Sequence, residues 1–228
     1  LTGNNNVAVC ANSLLNNTLS DNLTAVGYSA LQSNTTGLQN TAVGYVALFS
    51  NTTGFYNTSI GYQSLFSNIS GTSNTAIGTT SLFSNTTGNA NSAFGYNSLY
   101  SNLTGVSNVA MGNESLYSNN SGGYNVSLGD SSLKSNSTGS FNCANGFMSL
   151  FSNTSGSFNV SSGALTLFSN TVGEENTGNG YQALFTNTSG SQNVAYGFKS
   201  LFFNNNGSNN TAIGYRSLYY NLGNNNTS

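Results

Sequence analysis

Asn40-Thr41-Ala42-Val43-Gly44-Tyr45-Val46-Ala47-Leu48-Phe49-Ser50-Asn51-Thr52-Thr53-Gly54-Phe55-Tyr56 is a 17-residue stretch whose pattern recurs along the whole chain. Units begin at 6, 23 and 40 and continue in steps of 17, so that thirteen complete units fill 6–226 without insertion or deletion. Residues 1–5 read as the tail of a preceding unit, Thr227 and Ser228 as the start of another, and Leu1 as the cut edge of a longer chain. The whole of 1–228 is thus expected to be one repeat domain with uncapped ends, a fragment or a stacking protomer.

Within the unit, numbered 1 to 17, the columns are sharp. Position 9 is Leu throughout: Leu14, Leu31, Leu48, Leu65, Leu82, Leu99, Leu116, Leu133, Leu150, Leu167, Leu184, Leu201 and Leu218. Position 12 is Asn throughout: Asn17, Asn34, Asn51, Asn68, Asn85, Asn102, Asn119, Asn136, Asn153, Asn170, Asn187, Asn204 and Asn221. Gly holds position 5 in twelve units and position 15 in eleven, Asn holds position 1 in twelve, and position 8 is always Ala, Ser or Thr. A strict period means one supersecondary element stacked on copies of itself. Seventeen residues are too few for the helical solenoids, and Gly, Asn, Ser and Thr are poor helix formers. Positions 2–4 (Thr75-Ala76-Ile77) and 8–11 (Ser81-Leu82-Phe83-Ser84) read as two short strands, separated by Gly and by Asn-Thr-Thr-Gly turns. The expectation is an all-β chain, a parallel β-solenoid (β-roll or β-helix) of thirteen coils with two short strands each, roughly 62 Å long at strand spacing.

Each column then stacks on itself, which assigns roles. Leu at position 9 and Val or Ile at position 4 are expected to form the aliphatic core, as in Leu48 with Val43 and Leu65 with Ile60. Gly at positions 5 and 15 suggests positive φ. The position 12 Asn column is expected to form an amide ladder, each side chain bonding the copies above and below. If Leu faces inward, strand alternation turns position 10 outward. That column holds Phe49, Phe66, Phe83, Tyr100, Tyr117, Phe151, Phe168, Phe185, Phe202 and Tyr219. An exposed aromatic stripe reads as an interface, which implies a homo-oligomer, with a trimer or an end-to-end filament as the arrangements.

Charge is nearly absent: Lys134, Lys199, Arg216, Asp21, Asp130, Glu114, Glu174 and Glu175 are all there is, 4% of the chain, with no His, Trp or Pro. A charged column would repel itself at strand spacing; Asn instead pairs with its copies, and Asn occurs 42 times. The same arithmetic argues against several functions. Without His or a tuned carboxylate pair, acid–base catalysis has no agent, so no enzyme and no cofactor are expected. Three basic residues give no footprint for nucleic acid. No apolar run reaches a membrane span, so no membrane insertion is expected. The two cysteines, Cys10 and Cys143, fall eight coils apart, roughly 38 Å at strand spacing. They should form no bridge and should fill small-residue columns.

The segments Asn40 to Ala47, Asn74 to Ser81 and Asn210 to Ser217 resemble the head repeats of trimeric autotransporter adhesins, whose short motif runs Asn-x-Ala-Ile-Gly-x-x-Ala. The repeats also look like those of tail-fibre-like and adhesin-like proteins. The resemblance implies a left-handed parallel β-roll, three chains per head, an extracellular or cell- or virion-surface location, and no catalytic residue. The expected role is therefore structural, a stiff self-associating rod in an extracellular fibre, adhesin stalk or tail-fibre-like assembly. Two alternatives stand beside it. Thr arrays suggest an ice-binding β-solenoid, although position 13 and position 2 carry Thr only in part; acid clusters on some β-helices suggest a carbohydrate-active enzyme, for which this chain is short of acids. Nine position 12 residues also begin Asn-x-Ser/Thr sequons: Asn34, Asn51, Asn68, Asn85, Asn102, Asn119, Asn136, Asn153 and Asn187. They are candidate N-glycosylation sites, making covalent glycans candidate partners. Asn170, Asn204 and Asn221 keep the Asn without the sequon, which points to a structural demand instead.

Overall fold

The computed structural model describes residues 3–228; Leu1 and Thr2, read above as a cut edge and part of a unit's tail, lie outside them. The described chain is all-β, a parallel β-solenoid. Its strands are β1 (Val7–Val9), β2 (Thr24–Val26), β3 (Thr41–Val43), β4 (Thr58–Ile60), β5 (Thr75–Ile77), β6 (Ser92–Phe94), β7 (Val109–Met111), β8 (Val126–Leu128), β9 (Cys143–Asn145), β10 (Val160–Ser162), β11 (Thr177–Asn179), β12 (Val194–Tyr196) and β13 (Thr211–Ile213). Two compact units divide the chain, Leu1–Ala110 and Met111–Ser228. In the first, β1 to β6 pair in sequence order, all parallel and each register offset by 17 residues, as in Thr41↔Thr58. In the second, β8 to β13 pair in the same way, as in Val160↔Thr177.

Each coil has one strand, at positions 2–4, where two were expected. Positions 7–11 are a chain of turns, because the residues at positions 7 and 9 are left-handed: Val46 at φ 47° and Leu48 at φ 52°. Such a backbone still bonds from coil to coil. The Leu48 amide donates to the Ser64 carbonyl at 3.0 Å, the Ser50 amide to Phe66 at 3.0 Å, and the Val46 amide back to Tyr28 at 2.9 Å. A left-handed residue costs roughly 1–2 kcal/mol. Complete burial of the Leu side chain returns about 1.5–3 kcal/mol. From Leu31 to Leu201 every position 9 Leu is fully buried.

The parity of the strand also differs from expectation. Position 3 faces inward: Ala25, Ala42, Ser59, Ala76 and Ala93 are fully buried. Position 4 faces outward, so Val43 is half-buried, and Ile60 and Ile77 are exposed rather than core. The reason is thickness. Leu at position 9 already fills the space between the two walls of the coil, leaving room only for Ala, Ser or Gly opposite it. Where positions 3 and 8 are both Ser, the hydroxyls bond within the core, as Ser127 does to the Ser132 carbonyl at 2.9 Å.

One pair of coils shows how tight this space is. Thr166 takes position 8 and Gly178, twelve residues on, takes position 3; a Cβ on Gly178 would sit 2.6 Å from the Thr166 Cγ2. Gly178→Ala should therefore destabilise by about 1–3 kcal/mol, the ordinary cost of overpacking. Adding Thr166→Ser, which restores the Ser-and-Ala combination of other coils, should recover most of the loss in thermal unfolding.

The two Gly columns have different causes. At position 5 φ is positive, 138° at Gly44, and a Cβ would meet the Gly61 carbonyl oxygen at 2.3 Å. At position 15 φ is not in the left-handed range, contrary to the expectation, and the constraint is space alone. A Cβ on Gly71 would lie 2.4 Å from Asn68 Oδ1 and 2.5 Å from the Gly88 carbonyl oxygen. The last coil departs from the strict period. Thr227 bridges Thr211 and Asn226 bonds Asn210, both 16 residues apart, so a new coil begins at Asn226 rather than Thr227.

Candidate functional site

The most regular chemistry in the molecule is amide on amide. In the first unit Asn51 Nδ2 donates to Asn34 Oδ1 at 2.9 Å, Asn68 to Asn51 at 2.8 Å, Asn85 to Asn68 at 2.8 Å and Asn102 to Asn85 at 2.7 Å. In the second unit the same bond runs from Asn136 on Asn119 to Asn221 on Asn204, between 2.7 and 3.1 Å. Up to Asn204 the second hydrogen of the amide goes to the position 15 carbonyl of its own unit, as Asn51 to Gly54 at 3.0 Å, and Asn221 donates to Gly223 in the short last coil. That use explains the absent Cβ at position 15, since the Gly must lie against the amide. Asn17 and Asn34 begin the column with a longer contact of 3.4 Å.

A second ladder runs down position 1, which the sequence reading counted as a column without giving it a role. Asn74, Asn91 and Asn108 each donate Nδ2 to the Asn one coil back, at 3.1–3.2 Å, and their backbone amides donate to the same oxygen at 3.0 Å. In the second unit Asn142, Asn159, Asn176, Asn193 and Asn210 repeat this at 3.0–3.2 Å. Twelve Asn in thirteen units was the signal for it. Leu23, the exception, is buried in that column and receives only the backbone half of the pattern, its amide donating to Asn6 Oδ1 at 2.9 Å. Among the described residues every buried side-chain nitrogen and oxygen has a hydrogen-bond partner.

The ladder also holds the nine sequon residues. Asn34, Asn51, Asn68, Asn85, Asn102, Asn119, Asn136, Asn153 and Asn187 are all 0% exposed. A glycan would replace one hydrogen of the Nδ2, and in the folded chain the coil uses both, as at Asn51.

The aromatic columns stack too. At position 10, Phe49, Phe66, Phe83 and Tyr100 lie 5.1–5.3 Å apart with rings within 6° of parallel. In the second unit Phe151, Phe168, Phe185, Phe202 and Tyr219 stack at 5.1–5.2 Å with rings 8–12° from parallel. These rings, like Tyr117, are half-buried, so the stripe presents ring edges while the faces are covered by one another. A more exposed column stands at position 6: Tyr28, Tyr45 and Tyr62 in the first unit, Tyr181, Phe198 and Tyr215 in the second, stacked at 5.4–5.5 Å. The cations sit on these rings. Lys134 lies over Phe151 and also pairs with Glu114 at 2.6 Å, Lys199 lies between Phe198 and Phe202, and Arg216 is 4.3 Å from the Tyr219 ring. The side-chain hydrogen bond to Tyr219 leads in raising the Arg216 guanidinium above its ordinary pKa.

Cys10 and Cys143 are free and exposed. They are not in the buried small-residue columns, positions 3 and 8: Cys10 stands at position 5 and Cys143 at position 2. The Thr hydroxyls of position 13 are committed internally, Thr35 Oγ1 to the Thr52 carbonyl at 3.0 Å and Thr171 Oγ1 to Thr188 at 3.0 Å. Among the described residues there is no cavity and no cluster of three potential metal ligands, and no helix is long and apolar enough to cross a membrane. No protein-family model, curated protein or solved structure matches the chain.

Proposed function

We propose that the chain is a structural element, a stiff self-associating segment of an extracellular or surface fibre, and that it catalyses nothing. The observation that carries this reading is the pair of Asn ladders within each unit. There they tie neighbouring coils through buried charge-neutral amides, which adds resistance to unfolding and needs no ligand. The half-buried position 10 ring edges and the exposed position 6 Tyr and Phe columns supply the apolar surface for lateral association between copies, in a trimer or a filament. The ice-binding alternative is weakened by the position 13 hydroxyls, whose single donor is spent on neighbouring carbonyls. Negative-stain imaging and sedimentation velocity test the proposal. Elongated oligomers or fibrils are expected at micromolar concentration, and a monodisperse compact monomer would sink it.

A further inference from the structure

The chain contains three Asn-Gly pairs, Asn145-Gly146, Asn179-Gly180 and Asn206-Gly207. This dipeptide is the one most open to cyclisation, because Gly carries no Cβ to obstruct attack by its own nitrogen on the preceding side chain. We infer that Asn206 is a site of spontaneous deamidation, while the fold protects the other two. The Gly207 amide nitrogen gives up its proton and attacks Asn206 Cγ. The new N–Cγ bond displaces Nδ2, which leaves as ammonia with that proton. Water then opens the cyclic imide at either carbonyl, giving Asp or isoaspartate. Water is the only co-reactant.

Protection at the first two sites is visible in the hydrogen bonding. Asn145 ends β9 and Asn179 ends β11, where strand pairing holds the backbone extended. The attacking amides are also occupied: Gly146 donates to the Leu128 carbonyl and Gly180 to the Ser162 carbonyl, both at 2.8 Å. Attack there must first break a cross-coil bond.

At Asn206 this protection is missing, because its attacking amide belongs to position 15, where Gly54, Gly71 and Gly88 likewise make no cross-coil bond. In other coils the amides at positions 13 and 14 converge on the position 13 carbonyl of the next coil, and at some coils position 15 joins them. Thr171 and Val172 thus share the Thr188 oxygen at 2.9 and 3.2 Å, and Thr154, Ser155 and Gly156 share that of Thr171. For Asn205, Asn206 and Gly207 the corresponding residue is Leu222, in the coil that closes in 16 residues, and Leu222 is 94% exposed. Among the described residues no hydrogen bond holds the Gly207 amide, and the Asn206 side chain is exposed with no partner. The product matters locally. An isoaspartyl link lengthens the backbone by one carbon just before the Gly207 carbonyl, which receives Asn193 Nδ2 at 2.8 Å and Asn204 Nδ2 at 2.9 Å, one rung from each ladder.

The test is a timed incubation of the intact protein at mildly alkaline pH, followed by trypsin and fragmentation mass spectrometry. Cleavage after Lys134, Lys199 and Arg216 puts Asn206 on one peptide and the two strand sites on another. Asn206 should convert faster than Asn145 and Asn179 by on the order of tenfold or more, the factor set by one backbone hydrogen bond and the strand distortion. In denaturant the three rates should converge. Asn206→Thr, the residue type that fills position 14 at Thr36 and Thr53, should abolish the fast phase. Equal rates in the folded protein, or an Asn206 excess that survives denaturation, would overturn the assignment.

Discussion

Asn153→Asp is expected to unfold its part of the second unit at neutral pH and to spare it in acid. Asn153 is 0% exposed. Its Nδ2 donates to Asn136 Oδ1 at 2.8 Å and to the Gly156 carbonyl at 2.9 Å, and its Oδ1 accepts from Asn170 at 2.9 Å. A carboxylate would face two acceptors with no hydrogen to offer, in a site without a cation. Loss of each buried partner costs about 1–3 kcal/mol, so even the neutral Asn153→Ala should lose about 3–5 kcal/mol. The charged form should lose more. Burial and the facing oxygens raise the pKa of such a carboxyl in the folded state above its unfolded value. Stability is therefore fully present below the unfolded pKa, falls as pH rises, and is lost above the folded pKa. Thermal melts by circular dichroism between acid and neutral pH read this directly, with exposed Asn209→Asp as the control, expected within about 0.5 kcal/mol of the parent. A pH-independent melting temperature for Asn153→Asp would contradict the ladder.

Gly71→Ala should be nearly as damaging, for a purely steric reason. The new methyl would press on Asn68 Oδ1 at 2.4 Å, the Gly88 carbonyl oxygen at 2.5 Å and Asn85 Nδ2 at 2.9 Å. None of these can retreat without breaking a rung, so the loss should reach or exceed the roughly 1–3 kcal/mol of ordinary overpacking. Gly214→Ala separates sterics from torsion, since Gly214 has φ +126° but no atom within 4 Å of the added carbon. It should cost only the strain of an unfavourable φ, about 1–3 kcal/mol. If Gly71→Ala proved the milder of the two in denaturant melts, the account of position 15 would fail.

What the sequence could show depended on whether a column tolerated one residue type or several. Leu at position 9 and Asn at position 12 admit no substitute, and both were legible as core and ladder. Position 4 looks like core in the sequence because large aliphatic side chains suggest burial. Yet Asn145, Ser162 and Asn179 occupy that column beside Val43 and Ile60, a mixture only an outward face accepts, whereas position 3 admits only Ala, Ser and Gly. The absence of a second strand is illegible for another reason. A left-handed Leu leaves no signature in composition, because burial and neighbouring coils impose that φ, not local preference. Position 15 shows the same limit: Gly for space and Gly for torsion look alike until the carbonyl of the next coil is placed.

The sameness of the coils carries a consequence for how the chain finds its register. A coil displaced by one whole repeat would meet the same Leu, the same two Asn and the same Gly, so mispairing at 34 residues is nearly as well satisfied as pairing at 17. What distinguishes one address from the next is the small set of irregularities. Leu23 takes the place of a ladder Asn, Thr166 leaves room only for a Gly at 178, and Glu114 reaches Lys134. Each is a mark that identical neighbours lack, and together they number the coils within their units.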